Sequence, residues 1–217
     1  LVPGPLAAGD ASAWRAALRL LGGNEGVLRL VVGPGFEELG LRALLSSPEV
    51  FRRRSLRTVR DAPEWLPRPK SGPWRNSADA WRELRAFADR PDAEGVQLDA
   101  RGCLSEASRS SLAWWDGACW NFPAVETGRL PGTTMAQLRA ALTQAGRPTR
   151  DVSWPGFPAN AEAMLVLRST FDGGAVLARS YHADGRLAWQ PAGPSAEAAR
   201  ALASLAAWRA QRCISFA

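Results

Sequence analysis

The sequence predicts an α+β domain in which an antiparallel sheet packs with about five helices. Three apolar runs, residues 164–171, 175–182 and 186–190, are joined by Asp-Gly turns and predict a C-terminal three-stranded meander. Near the N-terminus, a strand, a helix and a strand follow one another and predict a βαβ-like unit. With 217 residues, 46% of them hydrophobic, the chain can form one domain with a full core.

The N-terminal elements are predicted from apolar spacing and glycine breaks. Asp10 is a good N-cap for a first helix that ends at residues 22–24, and residues 27–32 have the length and branching of a buried strand. Gly33-Pro34-Gly35 is predicted to be a structural turn, because the loop lacks the lysine and hydroxyl residues of a phosphate-binding loop. Residues 36–44 then predict a second helix, and residues 55–60 a further strand.

A proline-rich segment divides the chain. Residues 63–76 contain four prolines with Trp65 and Trp74, which predicts an ordered linker between two lobes of a single domain, residues 1–62 and 77–217. Ser77 is expected to start a third helix, and Thr133 or Thr134 a fourth. Short strands are predicted from Gly95 onward, and Ser195 is expected to cap the last helix.

The basic character of the chain is a weak functional signal. The net charge is +6, but 26 of the 27 basic residues are arginine, a bias that extends over the whole sequence. The densest cluster, Arg52-Arg53-Arg54 with Arg57 and Arg60, fits either a solvated face beside an edge strand or a contact for nucleic acid or another anionic surface. We favour the solvated face, since aromatic residues are not interleaved with these arginines.

Metal and cofactor sites are not predicted. One histidine and three scattered cysteines lack the ligand spacings of zinc sites, and no cofactor motif is present. No apolar run is long enough to span a membrane.

The segment from Trp114 to Phe122 holds three of the ten tryptophans and Cys119. Its run Gly117-Ala118-Cys119-Trp120 resembles the nucleophile segment of papain-like cysteine proteases and, in part, of transglutaminase-like enzymes. The resemblance implies Cys119 as nucleophile and His182 as base, with Asp184 as an orienting acid. The alternative is a structural cysteine, because a bridge between Cys103 and Cys119 would close a loop of about 15 residues and contribute about 3 kcal/mol.

The function predicted from these patterns is that of a non-enzymatic interaction protein, of the inhibitor, immunity or envelope-subunit kind, that binds another protein. Aromatic and arginine residues dominate interface hot spots, and several tryptophans are predicted to lie in loops. The cysteine-dependent hydrolase or acyltransferase is the first alternative, and nucleic-acid or anion binding through residues 52–60 is the second. A periplasmic or secreted location is expected, because removal of a signal peptide would leave a start such as Leu1. The predicted binding residues are Trp65, Trp74, Trp114, Trp115, Trp120, Trp154, Arg52, Arg53 and Arg54.

Overall fold

The computed structural model describes residues 26–33, 36–43, 51–56, 58–60, 75–87, 93–168, 174–182 and 184–212. The chain divides into two compact units, Leu1–Ser46 and Ser47–Ala217. The predicted first helix, most of the predicted linker 63–76, and Trp65 and Trp74 lie outside the described residues.

The first unit contains an antiparallel hairpin of β1 (Gly26–Gly33) and β2 (Phe36–Ala43), paired from Gly33 opposite Phe36 to Gly26 opposite Ala43. The predicted strand at 27–32 is present as β1. The helix predicted at 36–44 is wrong, and with it the βαβ-like unit, because these residues form β2. Leu39, Leu41 and Ala43 also satisfy the two-residue period of a strand, and pairing with β1 decides between the two patterns.

The second unit is a nine-stranded mixed sheet with three α-helices among the described residues. Its strand order is β5-β4-β3-β10-β9-β6-β7-β8, with β11 paired to β10. The pairs β3–β4, β3–β10 and β7–β8 are parallel and the others antiparallel. The strands are β3 (Phe51–Ser55), β4 (Ala93–Leu98), β5 (Leu104–Ala107), β6 (Ser111–Trp115), β7 (Trp120–Pro123), β8 (Thr149–Val152), β9 (Ala163–Leu167), β10 (Ala175–Tyr181) and β11 (Leu187–Trp189).

This architecture corrects the predicted fold class. The predicted C-terminal strands correspond to β9, β10 and β11, but they are part of one large mixed sheet, so the independent three-stranded meander packed with about five helices is wrong. The three described helices are α1 (Arg75–Phe87), α2 (Thr133–Gln144) and α3 (Ala196–Ala210). Ser195 caps α3 as predicted, since its hydroxyl accepts a hydrogen bond from the Ala198 N–H at 3.2 Å.

Both faces of the central strands are buried. In β9, Met164 and Val166 join one core cluster, whereas Ala163, Leu165 and Leu167 join the other. The second cluster also contains apolar side chains of α2 and α3, so these helices cover that face. A strand buried on both faces requires a continuous apolar run, which explains the sequence Ala-Met-Leu-Val-Leu.

Candidate functional site

A cavity of about 670 Å³ opens beside β5 in the second unit. Its volume is in the range of pockets that hold a small-molecule ligand. The lining comes from α1, the end of β5 and the turn into β6, the start of α2, and the end of β9. Four separate elements therefore converge on one concave site.

An irregularity in β5 turns Glu106 toward this site. Leu104 pairs with Leu98 and Glu106 with the next residue back, Gln97, so Ser105 is an extra residue in the ladder. Leu104 and Ala107 consequently both reach the same core cluster, although their spacing would place them on opposite faces of a regular strand. Such bulges often aim a side chain at a functional site. Here the bulge leaves Glu106, only 6% exposed, lining the cavity.

Glu106 forms a buried ion pair with Arg60. The Arg60 Nη2 atom lies 2.6 Å from Glu106 Oε1, and the two side chains are 2% and 8% exposed. The Leu130 N–H donates to Glu106 Oε2 at 3.0 Å, and Arg60 Nε donates to the Gly128 carbonyl at 3.2 Å. Burial of two charges is stable only when such partners compensate for lost hydration. The pair therefore holds an ionised carboxylate at a fixed place in the wall.

Asn76, near the start of α1, joins this ion pair to the sheet. Its side-chain oxygen accepts hydrogen bonds from Arg60 Nη1 at 3.1 Å and from Gln97 Nε2 at 3.0 Å. Its amide group donates to the Val59 carbonyl at 2.7 Å. The position of Arg60 is thus set by α1 and β4 together.

The N-terminus of α2 forms a second wall of the cavity. Its N-cap is Gly132, which offers no side-chain cap, and the first turn contains no acidic residue. A Cβ atom at Gly132 would lie 2.3 Å from the Ser111 hydroxyl, so any larger residue would displace that hydroxyl or the N-terminus of α2. Uncapped N–H groups at a helix N-terminus attract anions.

The third wall is the turn between β5 and β6, which is hydrogen-bonded to the buried side chain of Glu94. Glu94 is fully buried and accepts hydrogen bonds from the hydroxyls of Ser108 at 2.9 Å and Ser110 at 2.8 Å. Its Oε1 atom also lies 3.6 Å from Arg109 Nε and 4.0 Å from Arg168 Nη1. Arg109 and Arg168 both line the cavity.

The predicted aromatic surface is largely interior. Trp114 and Trp120 are fully buried on strands, and Trp115 and Trp154 are half-buried. Trp114 stacks edge-on against Trp154 with ring centroids 6.2 Å apart, and Trp115 lies 6.0 Å from Trp120. The Trp120 indole donates to the buried carboxylate of Glu197 at 3.2 Å. These contacts tie sheet and helix together.

Arg52, Arg53 and Arg54 lie in β3, between the parallel neighbours β10 and β4. The interpretation that they guard an edge strand is wrong, because β3 is an interior strand. Arg60, from the same predicted cluster, is the buried partner of Glu106 rather than a surface charge.

The predicted bridge between Cys103 and Cys119 is not formed, since both residues carry free thiols. Cys119 lies in the tight turn between β6 and β7, where Asp116 Oδ1 accepts the N–H groups of Ala118 and Cys119 at 3.0 and 2.9 Å. Burial, together with the charge of Asp116, raises the pKa of the Cys119 thiol. A nucleophilic cysteine requires the opposite shift.

His182 is distant from Cys119. It follows β10, whereas Cys119 precedes β7, and the order β10-β9-β6-β7 places three inter-strand steps, roughly 14 Å, between the two strands. His182 is exposed, and Asp184 pairs with Arg186 at 2.7 Å. The structure therefore does not bring the three residues together as a catalytic triad.

Sequence reasoning did not single out Glu106 or Gly132, and it named Arg60 only as part of the basic cluster at residues 52–60. One usable signal was the segment Leu130-Pro131-Gly132, which brings glycine to the N-terminus of a predicted helix. Within the described part of the chain, no group of three or more His, Cys, Asp or Glu residues could hold a metal ion. None of the helices described there is long and apolar enough to cross a membrane.

The chain matches the sequence model of a known family. Residues 15–164 match amino-transferase class IV. No curated protein matches the chain in sequence. The matched range includes Arg60 and Glu106, the turn between β5 and β6, and the N-terminus of α2.

Solved structures have the same fold at low sequence identity. A protein from Legionella pneumophila assigned as a 4-amino-4-deoxychorismate lyase superposes with a TM-score of 0.74 at 16% identity, over 95% of this chain and 79% of that one. The branched-chain amino acid aminotransferase of Escherichia coli superposes with a TM-score of 0.70 at 16% identity, over 92% of this chain and 71% of that one. A T.th. branched-chain amino acid aminotransferase, solved with pyridoxamine 5′-phosphate, superposes with a TM-score of 0.59 at 20% identity, over 75% of this chain and 52% of that one.

Proposed function

This chain belongs to the amino-transferase class IV family, and we propose that it is a pyridoxal 5′-phosphate enzyme that transfers the amino group of a small amino substrate. The family match overturns the prediction of a non-enzymatic interaction protein, and with it the alternatives of a cysteine hydrolase and a nucleic-acid-binding protein. The observation that carries the proposal is the cavity in which the Glu106–Arg60 ion pair and the uncapped α2 N-terminus lie together.

The donor set of the cavity fits this cofactor. Pyridoxal phosphate presents a basic ring nitrogen, an anionic phosphate and an aldehyde, and each needs a different protein group. When bound, it supplies an electron sink that makes the bonds at the amino-bearing carbon of a substrate labile. An acidic partner for the ring nitrogen is characteristic of these sites.

Glu106 is the group suited to the ring nitrogen. It is a buried carboxylate that Arg60 and the Leu130 N–H hold in place. A fixed negative charge stabilises a proton on the nitrogen opposite it. Arg60 in turn keeps Glu106 ionised and oriented, since a neighbouring guanidinium favours the charged form of a carboxyl group.

The N-terminus of α2 is the group suited to the phosphate. Its N–H groups point out of the helix without an N-cap side chain, and Gly132 allows the helix to lie directly against Ser111. Backbone donors and the helix dipole together stabilise a dianion there.

The aldehyde requires a lysine amine, and the chain contains one lysine, Lys70. Lys70 lies outside the described residues, five positions before α1 begins at Arg75. Arginine cannot replace it, because a guanidinium stays protonated at neutral pH and is not a nucleophile. The proposal therefore assigns covalent attachment of the cofactor to Lys70 by elimination.

Attachment at Lys70 can be tested by reductive trapping. The purified protein is incubated with pyridoxal 5′-phosphate, reduced with borohydride, digested and analysed by mass spectrometry. We expect one phosphopyridoxyl group per chain, on the peptide containing Lys70, and none in Lys70→Ala. The matched control is Arg139→Gln, which changes an arginine outside the cavity and should label like the wild type. A wild-type protein that takes up no cofactor, or that is labelled only at its N-terminus, would refute the proposed function.

A further inference from the structure

We propose that Glu94 is a positioning residue for the cofactor site. It fixes the turn between β5 and β6, and through that turn it sets the place of the Glu106 carboxylate, the partner proposed for the ring nitrogen. This inference rests on the proposed function and deepens it. Glu94 is not among the described residues that line the cavity, so its effect on the cofactor is indirect.

The partners of Glu94 are concentrated in one turn. The side chain lies in the interior strand β4 and is fully buried. Its Oε2 atom accepts hydrogen bonds from the Ser108 hydroxyl at 2.9 Å and the Arg109 N–H at 3.3 Å, and its Oε1 atom accepts one from the Ser110 hydroxyl at 2.8 Å. A buried carboxylate is stable only when such partners replace its lost hydration. One carboxylate therefore binds three consecutive residues of the turn.

Two ion pairs extend this anchor to another strand. Glu94 Oε1 lies 3.6 Å from Nε of Arg109 in the turn and 4.0 Å from Nη1 of Arg168, which directly follows β9. The turn cannot move relative to the end of β9 without separating a buried charge from one of its partners, which is costly.

Backbone hydrogen bonds attach the same turn to β4. The Ser108 N–H donates to the Gly95 carbonyl at 2.6 Å, and the Gly95 N–H donates to the Ser108 hydroxyl at 3.2 Å. The Ala107 N–H donates to the Ser110 carbonyl at 2.9 Å and closes the turn. The end of β5 is thus held at residues 94 and 95 of β4.

This anchor matters for Glu106 because of the bulge that precedes it. Ser105 is an extra residue in the ladder, and a shift of the extra residue by one position would turn Glu106 to the opposite face of the strand. On the other side of Glu106, the pair between Ala107 and Val96 leads directly into the turn. Glu106 therefore lies between a bulge and the end that Glu94 fixes.

A competing account is that Arg60 and the Leu130 N–H fix the Glu106 carboxylate without help from the turn, since both contact it directly. The two accounts differ in what a Glu94 variant does to recognition of the ring nitrogen. A role in general stability would change the affinity for the whole cofactor, whereas a positioning role changes the contribution of the nitrogen.

The test compares two cofactors that differ at the ring nitrogen alone. In 1-deazapyridoxal 5′-phosphate a C–H group replaces the nitrogen, and the phosphate and the aldehyde are kept. The dissociation constants of both cofactors are measured by absorbance titration of the 217-residue chain, freed of bound cofactor. Their ratio isolates the nitrogen, because a loosened cavity weakens both cofactors alike. The proteins are the wild type, Glu106→Gln, Glu94→Gln, Ser110→Ala and Glu197→Gln.

Glu197 is the matched control for Glu94. It is also a buried glutamate with two arginine partners, Arg147 at 2.5 Å and Arg200 at 2.9 Å, and it accepts a hydrogen bond from Trp120. It lies on α3, outside the described lining of the cavity. Glu197→Gln should lower the thermal unfolding midpoint and leave the ratio unchanged.

We expect the wild type to prefer pyridoxal 5′-phosphate over the deaza form by about ten- to hundredfold, the effect of one hydrogen bond to a charged group. In Glu106→Gln the preference should fall to about threefold or less, because the charged acceptor is lost. In Glu94→Gln it should fall at least about fivefold, and in Ser110→Ala at least about twofold, because the turn loses part of its anchor.

Equal weakening of both cofactors in Glu94→Gln, or of neither, would refute the positioning role and leave the proposed function standing. If Glu94→Gln does not fold, Ser110→Ala decides by the same ratio, and a preference equal to that of the wild type overturns the inference. A wild type that binds both cofactors equally would remove Glu106 from the ring nitrogen, and the role of Glu94 with it. A wild type that takes up neither cofactor would refute the proposed function as well.

Discussion

Replacement of Arg60 by methionine should lower the free energy of unfolding by about 3–5 kcal/mol, because it removes the guanidinium that is paired with the buried Glu106 carboxylate. The two side chains are 2% and 8% exposed, and their closest N–O distance is 2.6 Å. After the substitution Glu106 loses this guanidinium and keeps the hydrogen bond from the Leu130 N–H, which carries no full charge. The Gly128 carbonyl also loses the Arg60 Nε donor.

The double variant Arg60→Met with Glu106→Gln removes both charges and should recover more than about 1 kcal/mol of the loss. The stability effects of two substitutions are not additive when the residues form one ion pair. Urea unfolding followed by tryptophan fluorescence measures these free energies by linear extrapolation. Arg101→Met is the control, because Arg101 is 57% exposed in its pair with Asp99 and its removal should change stability little. A loss below about 1 kcal/mol for Arg60→Met, or strict additivity in the double variant, would refute the reasoning.

Three further substitutions test the turn, the anion site and the helix contact. Burial alone would raise the pKa of Asp116, but hydrogen bonds to its carboxylate outweigh burial and lower the pKa from 3.8 to about 2. The ionised carboxylate therefore contributes about 2 kcal/mol to the free energy of unfolding above pH 4, and this contribution is lost as the pH falls toward 2. In urea unfolding, the stability difference between wild type and Asp116→Asn should therefore shrink below pH 4, and a difference that grows there would contradict it. Gly132→Ala should weaken uptake of pyridoxal 5′-phosphate about tenfold or more, because the new methyl group meets Ser111 at 2.3 Å, and unchanged uptake would argue against the α2 N-terminus as phosphate site. Glu197→Leu should destabilise the protein by about 1–3 kcal/mol, because it removes the carboxylate that accepts the hydrogen bond of the buried Trp120 indole N–H. An unchanged unfolding midpoint in calorimetry would count against the importance of that hydrogen bond.

Local patterns in the sequence predicted local elements. The apolar run at 27–32, the Asp184-Gly185 turn before β11 and the Ser195 cap each depend on neighbours within a few residues. Gly185 has φ of +90°, which the turn requires and glycine provides. Such elements can be predicted because their causes lie within the segment itself.

Features set by distant pairing could not be predicted in this way. β7 has four residues and lies beside the parallel strand β8, which begins 26 positions after β7 ends. The segment from Trp114 to Phe122 was interpreted as a binding or catalytic loop, because the distant residues that bury Trp114 and Trp120 are not evident from the sequence around them. Their partners, Trp154 and Glu197, are far along the chain. The Glu106–Arg60 pair is missed for the same reason, since 46 positions separate a strand bulge from the residue that compensates it.

The arginine bias, set aside at first as uninformative, sharpens the functional assignment when it is combined with the family match. Arginine stands at 26 of the 27 basic positions, and a guanidinium can supply positive charge and a hydrogen-bonding fork at such positions. Arg60 and Arg109 are such positions, because Arg60 forms an ion pair with Glu106 and Arg109 stacks on Trp81. Attack on an aldehyde is the task that a guanidinium cannot perform, since it does not lose its proton at neutral pH. The proposed attachment of the cofactor therefore falls to Lys70, the one lysine of the sequence.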